Sequence, residues 1–320
     1  MTVLAVGVVA LFAAGCGGGE SKESAQAPAP EATEFPETEG RTLREIYEEY
    51  RPDNDLAVFP AGAVFEKGKK QRFAAAVFTA GGDQINDADL VFYAANGPDA
   101  KAKGPYPARV EDLTTKPQFE SRTVASDPDS AKAVYVADID FDGTGEYRLL
   151  AMLKDRETGA LRTALVSSIQ VGADSDVPKP GDKAPLVDTP TVDDVGDVSK
   201  IDTRVPHSTM HDVNFADVLG KKPVVLLFAT PALCTSRVCG PVVDVAEQLK
   251  AEKGDKAAFI HMEVYNDNDP QKGIRPQLEA FGLQSEPWLF VIDEDGRVST
   301  RIEGAYSVNE LEQALEKVGV

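Results

Sequence analysis

Residues 221–250 read KKPVVLLFATPALCTSRVCGPVVDVAEQLK, and the order of elements in this stretch decides the fold of the C-terminal half. KKPVVLLFA (221–229) is an apolar run without alternation, as expected of a strand covered on both faces of a sheet. Beyond it Val242, Val245, Ala246 and Leu249 recur at helical spacing, and Pro241 suits the first turn of that helix. Cys234 and Cys239 lie between strand and helix, five residues apart. In a continuous helix their Cα atoms would be roughly 8.5 Å apart, beyond the about 7 Å that a disulfide can bridge. A bridge therefore requires non-helical backbone, with the helix starting near Gly240-Pro241 and Cys239 at its N-terminus. Exposed N–H groups and the helix dipole favour a thiolate there, and Arg237 adds positive charge. Cys239 is accordingly the expected acidic thiol and Cys234 its partner.

Elements alternate outward from this stretch. Asn214 to Leu219 is a short helical turn, AAFIHMEVY (257–265) a strand, and the segment around PQLEAFG (276–282) a helix. WLFVID and VSTRIEG form a hairpin across Asp295-Gly296, and SVNELEQALEKV closes the chain as an amphipathic helix. The order β-α-β-α-β-β-α gives an α/β domain over 187–320. A Pro-, Gly- and Asp-rich linker, 173–186, separates it from an all-β half.

That half, 41–172, opens with TLREIYEEY. It continues as short β-rich runs (LAVF, RFAAAVFTA, LVFYAA, AVYVADI, YRLLAML, TALVSSIQV) spaced by Gly, Pro, Asn and Asp, as in a β-sandwich. The turn Asp142–Glu146 and the following Tyr147 resemble the entry to a late strand of an immunoglobulin-like domain. Asp138, Asp140, Asp142 and Gly143 look like the start of a calcium loop, but the chain enters a strand where an EF-hand needs a helix and a distant Glu. No cofactor is implied in either half.

The 320 residues carry a net charge of −20, with 19 Lys+Arg against 29 Asp+Glu up to residue 180 and 14 against 24 beyond. No basic domain is hidden by the average, so nucleic acid is excluded as a partner. The first sixteen residues, MTVLAVGVVALFAAGC, are apolar from Val3 to Gly15, too short for a bilayer and fitting a signal peptide. Ala13-Ala14-Gly15-Cys16 resembles a bacterial lipobox, whose Cys becomes the lipid-bearing N-terminus, although Ala13 stands where Leu is usual. Residues 17–40, rich in Gly, Ser, Ala, Pro and Glu, read as a disordered tether. The expectation is a lipid-anchored, extracytoplasmic protein in which Cys234 and Cys239 pair as a disulfide.

PGDKAP, NFADVLGKK (214–222) and VVLLFATPALC together resemble TlpA-like extracytoplasmic thioredoxins over roughly 180–320. The resemblance implies a thioredoxin fold, thiol–disulfide exchange with protein partners, a cis-proline at Pro287 facing the cysteines, and a glycine, Gly304, before the last helix. The chain departs from the family at the active site. The spacing is C-x4-C rather than Trp-Cys-x-x-Cys, and Cys239-Gly240-Pro241 is followed by Val242. Either Cys234 corresponds to the attacking thiol, or Cys239-Gly240-Pro241 matches the family's Cys-Gly-Pro with Cys234 relocated. Other readings are a structural disulfide in a non-enzymatic binding lipoprotein and a Sco-like copper protein. Copper needs a distal His, and none follows His261. His261 reads as a structural histidine in a strand. His207 and His211 are spaced for a shared helix face, but Pro206, Ser208 and Thr209 favour a loop, so no metal site is expected. A peroxiredoxin would place a Thr three residues before its reactive Cys, whereas Thr230 is four before Cys234.

Overall fold

A computed structural model describes residues 28–50, 56–97 and 99–320; the leader, Cys16 and the start of the tether lie outside the described residues. The helix α1 (Leu43–Glu49) precedes strands β1 (Leu56–Pro60), β2 (Gly68–Thr79), β3 (Gln84–Ile85), β4 (Asp89–Asn96) and β5 (Lys103–Asp112). A one-turn helix α2 (Arg122–Ala125) follows, then β6 (Ala133–Phe141), β7 (Gly145–Lys154) and β8 (Leu161–Val171). All eight strands belong to one antiparallel sheet in the order β1-β2-β6-β5-β4-β7-β8, with β3 on β2. β1 comes round against β8, so the sheet nearly closes on itself.

This corrects the expected immunoglobulin-like sandwich. Short alternating strands between turns suit a sandwich and a curled barrel alike. What curls the sheet is strand length, twelve residues in β2 and eleven in β8, together with register shifts in the β2–β6, β4–β5 and β7–β8 ladders. Its interior is aromatic. Phe73 meets Phe92, and Phe141 meets Tyr147, edge to face at 5.0 Å. The Tyr147 hydroxyl accepts the Gly143 N–H, so this tyrosine does pin the turn before its strand. The neighbouring aspartates serve the strands: Asp140 accepts the Lys70 N–H and Asp142 pairs with Lys103.

Thr42 and Glu45 close a capping box on α1. Leu43 and Ile46 of this helix, with Phe35, pack on the outer face of the sheet against Tyr93, Leu150 and Met152. Phe35, ahead of residue 41, is buried with this group.

In the C-terminal half α3 (Val192–Val195) and α4 (Phe215–Val218) lead into β9 (Val224–Phe228), α5 (Cys239–Lys253), β10 (Ala258–Met262), α6 (Pro276–Ala280), β11 (Trp288–Ile292), β12 (Val298–Glu303) and α7 (Val308–Glu316). This is the expected order. The sheet runs β10-β9-β11-β12, with β10 parallel to β9 and the other pairs antiparallel. β9 shows why its sequence lacks alternation. Val225 and Leu227 face the core under α5 and α7, while Val224, Leu226 and Phe228 face a second core with Phe281 and Phe290.

The two halves share one core: Ala74, Val134 and Val136 of the barrel pack in the same cluster as Val242, Tyr306 and Leu311. The linker is strapped down, with Arg301 donating to the Val177 carbonyl and the Gly181 N–H to the Val298 carbonyl, both at 2.8 Å. The segment between β5 and β6 wraps α5. There the Ser121 N–H and Arg204 Nε each donate to the Asp244 carboxylate at 2.7 Å. At the start of α7, Arg72 of β2 grips both oxygens of Glu310 at 2.8 Å, and Arg109 of β5 adds a bond at 3.1 Å. Burial works against the Glu310 charge, but the Arg72 and Arg109 charges outweigh it and hold the carboxyl below its usual range.

Breaking a buried ion pair costs about 3–5 kcal/mol; here Arg109 keeps Glu111 and Arg72 keeps the Ala305 carbonyl, which places Glu310 near the lower end of that range. Glu310→Ala is therefore expected to destabilise the whole chain by roughly that amount. Urea denaturation should show one transition at a lower midpoint, with barrel and C-terminal signals moving together.

Candidate functional site

Residues 230–238 form a chain of turns between β9 and α5, fixed by Leu233 N–H to the Thr230 carbonyl and Val242 N–H to the Val238 carbonyl. Arg237 takes a positive φ of 60° in this loop. As expected, the backbone between the cysteines is non-helical and α5 begins at Cys239. Both are free thiols in this structure rather than the anticipated disulfide, and both are buried, Cys239 completely and Cys234 with 7% exposed. They belong to the core shared by the two halves, beside Ala131 and Val134 of the barrel.

The thiols are hydrogen-bonded to each other, and their acidities diverge. Cys234 is pulled down to about 6, first by the hydrogen bond from the Cys239 thiol and then, against burial, by Ser236 and the N–H groups of Cys239 and Val238. The Ser236 hydroxyl lies 3.2 Å from its sulfur. Burial pushes Cys239 well above the usual thiol value, and its bond to Cys234 and that residue's charge push the same way. The expected assignment is thus reversed: Cys234 is the acidic thiol. Being at the N-terminus of α5 does not make Cys239 acidic, because it is enclosed, while the donors of that terminus serve Cys234.

The supporting residues fall as follows. Arg237 is not beside the thiols; its guanidinium pairs with Asp127 of the barrel at 2.9 Å. Its carbonyl accepts the Ala131 N–H at 3.1 Å, so the cysteine loop is held from the barrel side. Gly240 lets α2 approach α5, since a Cβ there would come within 2.8 Å of Val124 Cγ2. Pro241 stands in the first turn of α5. The Glu286-Pro287 bond is cis, as the resemblance implies, and the Pro287 carbonyl accepts the Gly304 N–H at 2.9 Å. Gly304 has a φ of 78°, and any side chain there would overlap the Ala61 carbonyl oxygen of the barrel.

Sequence reasoning missed Glu286. Its carboxyl is raised to about 7, by burial first and then by the Cys234 charge. It faces a cleft of about 1030 Å³ between the barrel and the cysteine loop, lined among others by Phe59, Phe78, Lys132, Ser236 and Glu303. Phe59 and Phe78 meet edge to face at 6.0 Å on the barrel side, and Phe59 is largely exposed. Only the adjacency of Glu286 to the recognised proline could have signalled it. Among the described residues the cysteines join no group of three metal-ligating side chains.

Residues 215–319 match the family model of a thioredoxin-like domain, and this part of the chain is thioredoxin-like. Among solved structures, the chain is similar to a putative thiol:disulfide interchange protein DsbE from Chlorobium tepidum. The identity is 20%, covering 44% of this chain and 99% of that one, with a TM-score of 0.32. It is also similar to a thiol:disulfide interchange protein of the thioredoxin family from Chlorobium tepidum TLS, at 20% identity over 46% of this chain and 99% of that one, with a TM-score of 0.29. No curated protein matches the chain.

Alkylation by iodoacetamide reports the thiolate directly. The rate at Cys234 should rise with a midpoint near pH 6, and Cys239→Ala, which removes the largest contribution, should move that midpoint up by at least about one unit. Glu286→Gln should leave it nearly unchanged, because a carboxyl held near 7 is already mostly protonated where Cys234 titrates. An unchanged midpoint in Cys239→Ala would contradict the site as described.

Proposed function

We propose that the chain is an extracytoplasmic thiol–disulfide exchange protein, anchored by lipid on Cys16, acting on protein thiols or disulfides through Cys234 and Cys239. The observation that carries this reading is the divided pair: an acidic Cys234 hydrogen-bonded to a neutral, enclosed Cys239, ahead of a helix in a thioredoxin-like domain. A structural staple needs no such difference between its thiols. In the reductive direction the Cys234 thiolate attacks a substrate disulfide, forming a mixed disulfide and releasing one substrate thiolate. Cys239 then gives up its proton and attacks the Cys234 sulfur. The internal disulfide closes and the second substrate thiol leaves, so the substrate gains the two electrons the pair loses. In the oxidative direction the steps reverse. Pro287, in the cis-proline position the resemblance implies, flanks the substrate chain, and the cleft between loop and barrel admits it.

The leader supports an extracytoplasmic site, and among the described residues no helix is long and apolar enough to cross a membrane. The match at 215–319 leaves the barrel outside it. Its part in this reading is to wall the cleft and hold the cysteine loop.

Thiol labelling of the purified protein in graded glutathione or dithiothreitol buffers tests the proposal. A reversible two-electron transition between about −120 and −280 mV, with Cys239→Ser accumulating mixed disulfides through Cys234, is the expected result. A bridge that stays closed below about −300 mV would mark a structural staple in a binding lipoprotein.

A further inference from the structure

A second cluster lies behind the cysteine loop and takes no part in the exchange chemistry. His211 Nε2 is 3.0 Å from Asp202 Oδ2, and His261 Nδ1 is 3.7 Å from the same oxygen. The Ser208 hydroxyl is 3.4 Å from His261 Nδ1. All four side chains are buried. We propose that Asp202, His211 and His261 form an interior binding site for a zinc-like divalent cation, with the Ser208 hydroxyl at the fourth corner.

The geometry carries this. Four tetrahedral ligands about 2.0–2.1 Å from a zinc ion stand roughly 3.3 Å from one another. The three separations, 3.0, 3.4 and 3.7 Å, bracket that edge. The two imidazole nitrogens and the carboxylate oxygen all lie within 4.8 Å of each other, so the three donors converge on one interior point and need only draw together around a cation. Two imidazoles and one carboxylate suit zinc, whereas Cu(I) prefers sulfur and calcium prefers oxygen alone.

The surroundings orient the donors as outer partners of a metal site do. His261 Nε2 is 3.0 Å from the Ala229 carbonyl and donates its proton there, which turns Nδ1 toward Asp202. Backbone N–H groups fix the carboxylate, Arg204 N donating to Oδ1 at 2.8 Å and Ser208 N to Oδ2 at 2.6 Å. Separately, Glu263, two residues beyond His261, keeps one carboxylate oxygen buried with no hydrogen-bond partner. A nearby cation answers such an orphaned acceptor. The bound ion would tie the 202–211 segment to β10 and to Ala229, the residue leading into the cysteine loop. The site stands whether or not the thiol pair is redox-active.

The test uses the full-length protein carrying Cys16→Ser, Cys234→Ser and Cys239→Ser, so that thiolates cannot compete. Zinc binding is measured by competition with a chromophoric chelator, cobalt(II) serves as the spectroscopic probe, and thermal unfolding is followed with and without zinc. One equivalent per chain, tetrahedral cobalt bands without thiolate charge transfer, and a higher Tm with zinc are expected. His211→Gln and His261→Gln should each weaken binding by more than about 100-fold, beyond what loss of an outer partner costs. A folded parent that binds no stoichiometric zinc and keeps its Tm would overturn the site and leave a cluster held by protons alone. Binding that survives both histidine variants unchanged would also overturn it. If either variant fails to fold, the parent's cobalt spectrum decides by the same two outcomes.

Discussion

Glu310 opens the last helix of the thioredoxin-like half, yet it is held by two arginines from the barrel, Arg72 and Arg109. The rest of the arrangement depends on that grip. It is buried, bidentate on the Arg72 side, and extended by Glu111, which accepts the Ser307 hydroxyl that caps the same helix. Such a cluster tolerates little sliding, because a displaced partner would leave an unpaired charge in the interior. With α7 fixed, Ala61 of the barrel is set against Gly304. The segment 127–131 is in turn set against the cysteine loop, where it bonds Arg237 at both side chain and carbonyl. The cysteines therefore sit in a core built by both halves, and the cleft beside them has a barrel wall. In this protein the β half is part of how the cysteine loop is shaped.

The reversal of the two thiols has a general physical cause. Donors at a helix N-terminus point outward, toward whatever precedes the first turn. A residue at the first helical position, such as Cys239, is beside those donors but not in front of them. Cys234, folded back by the turns of 230–238, receives the Val238 and Cys239 N–H groups and the Cys239 thiol together. Cys239 keeps the position and loses the benefit, since complete burial outweighs the terminus.

The α/β half was legible because its signals are local. An apolar run without alternation, a helical repeat, an Asp-Gly turn and a C-terminal amphipathic stretch each fix one element, and their order fixes the domain. Non-helical backbone between Cys234 and Cys239 followed from reach alone. What could not be read depends on contacts far apart in sequence. Strand runs between turns do not say whether a sheet folds over or curls round, so the barrel was taken for a sandwich. That Phe35 is buried could not be read, because nothing nearby in sequence shows the face it covers. Arg237 looked like a cation for the thiols because its partner, Asp127, lies 110 positions away in sequence. The sequence pairs His211 with His207 and leaves His261 alone in its strand, and Asp202, which joins His211 to His261, carries no sequence signal of its own.

The divided acidity also sets how the pair handles protons. Closing a dithiol to a disulfide releases two protons when both thiols are protonated and only one when Cys234 is already a thiolate. In the proposed exchange the couple therefore passes two electrons for one proton above about pH 6. Its potential falls by about 30 mV per pH unit, half the slope of a pair of ordinary thiols in the same range. The proton that remains belongs to Cys239, and it must leave before the second attack. Tyr265 and Tyr306 feel this sulfur's charge, and the Glu286 charge acts on it in turn. Burial holds both tyrosines above their usual range, so neither takes up a proton near neutrality. Glu286, held near 7 and lining the cleft, is the one of these that can.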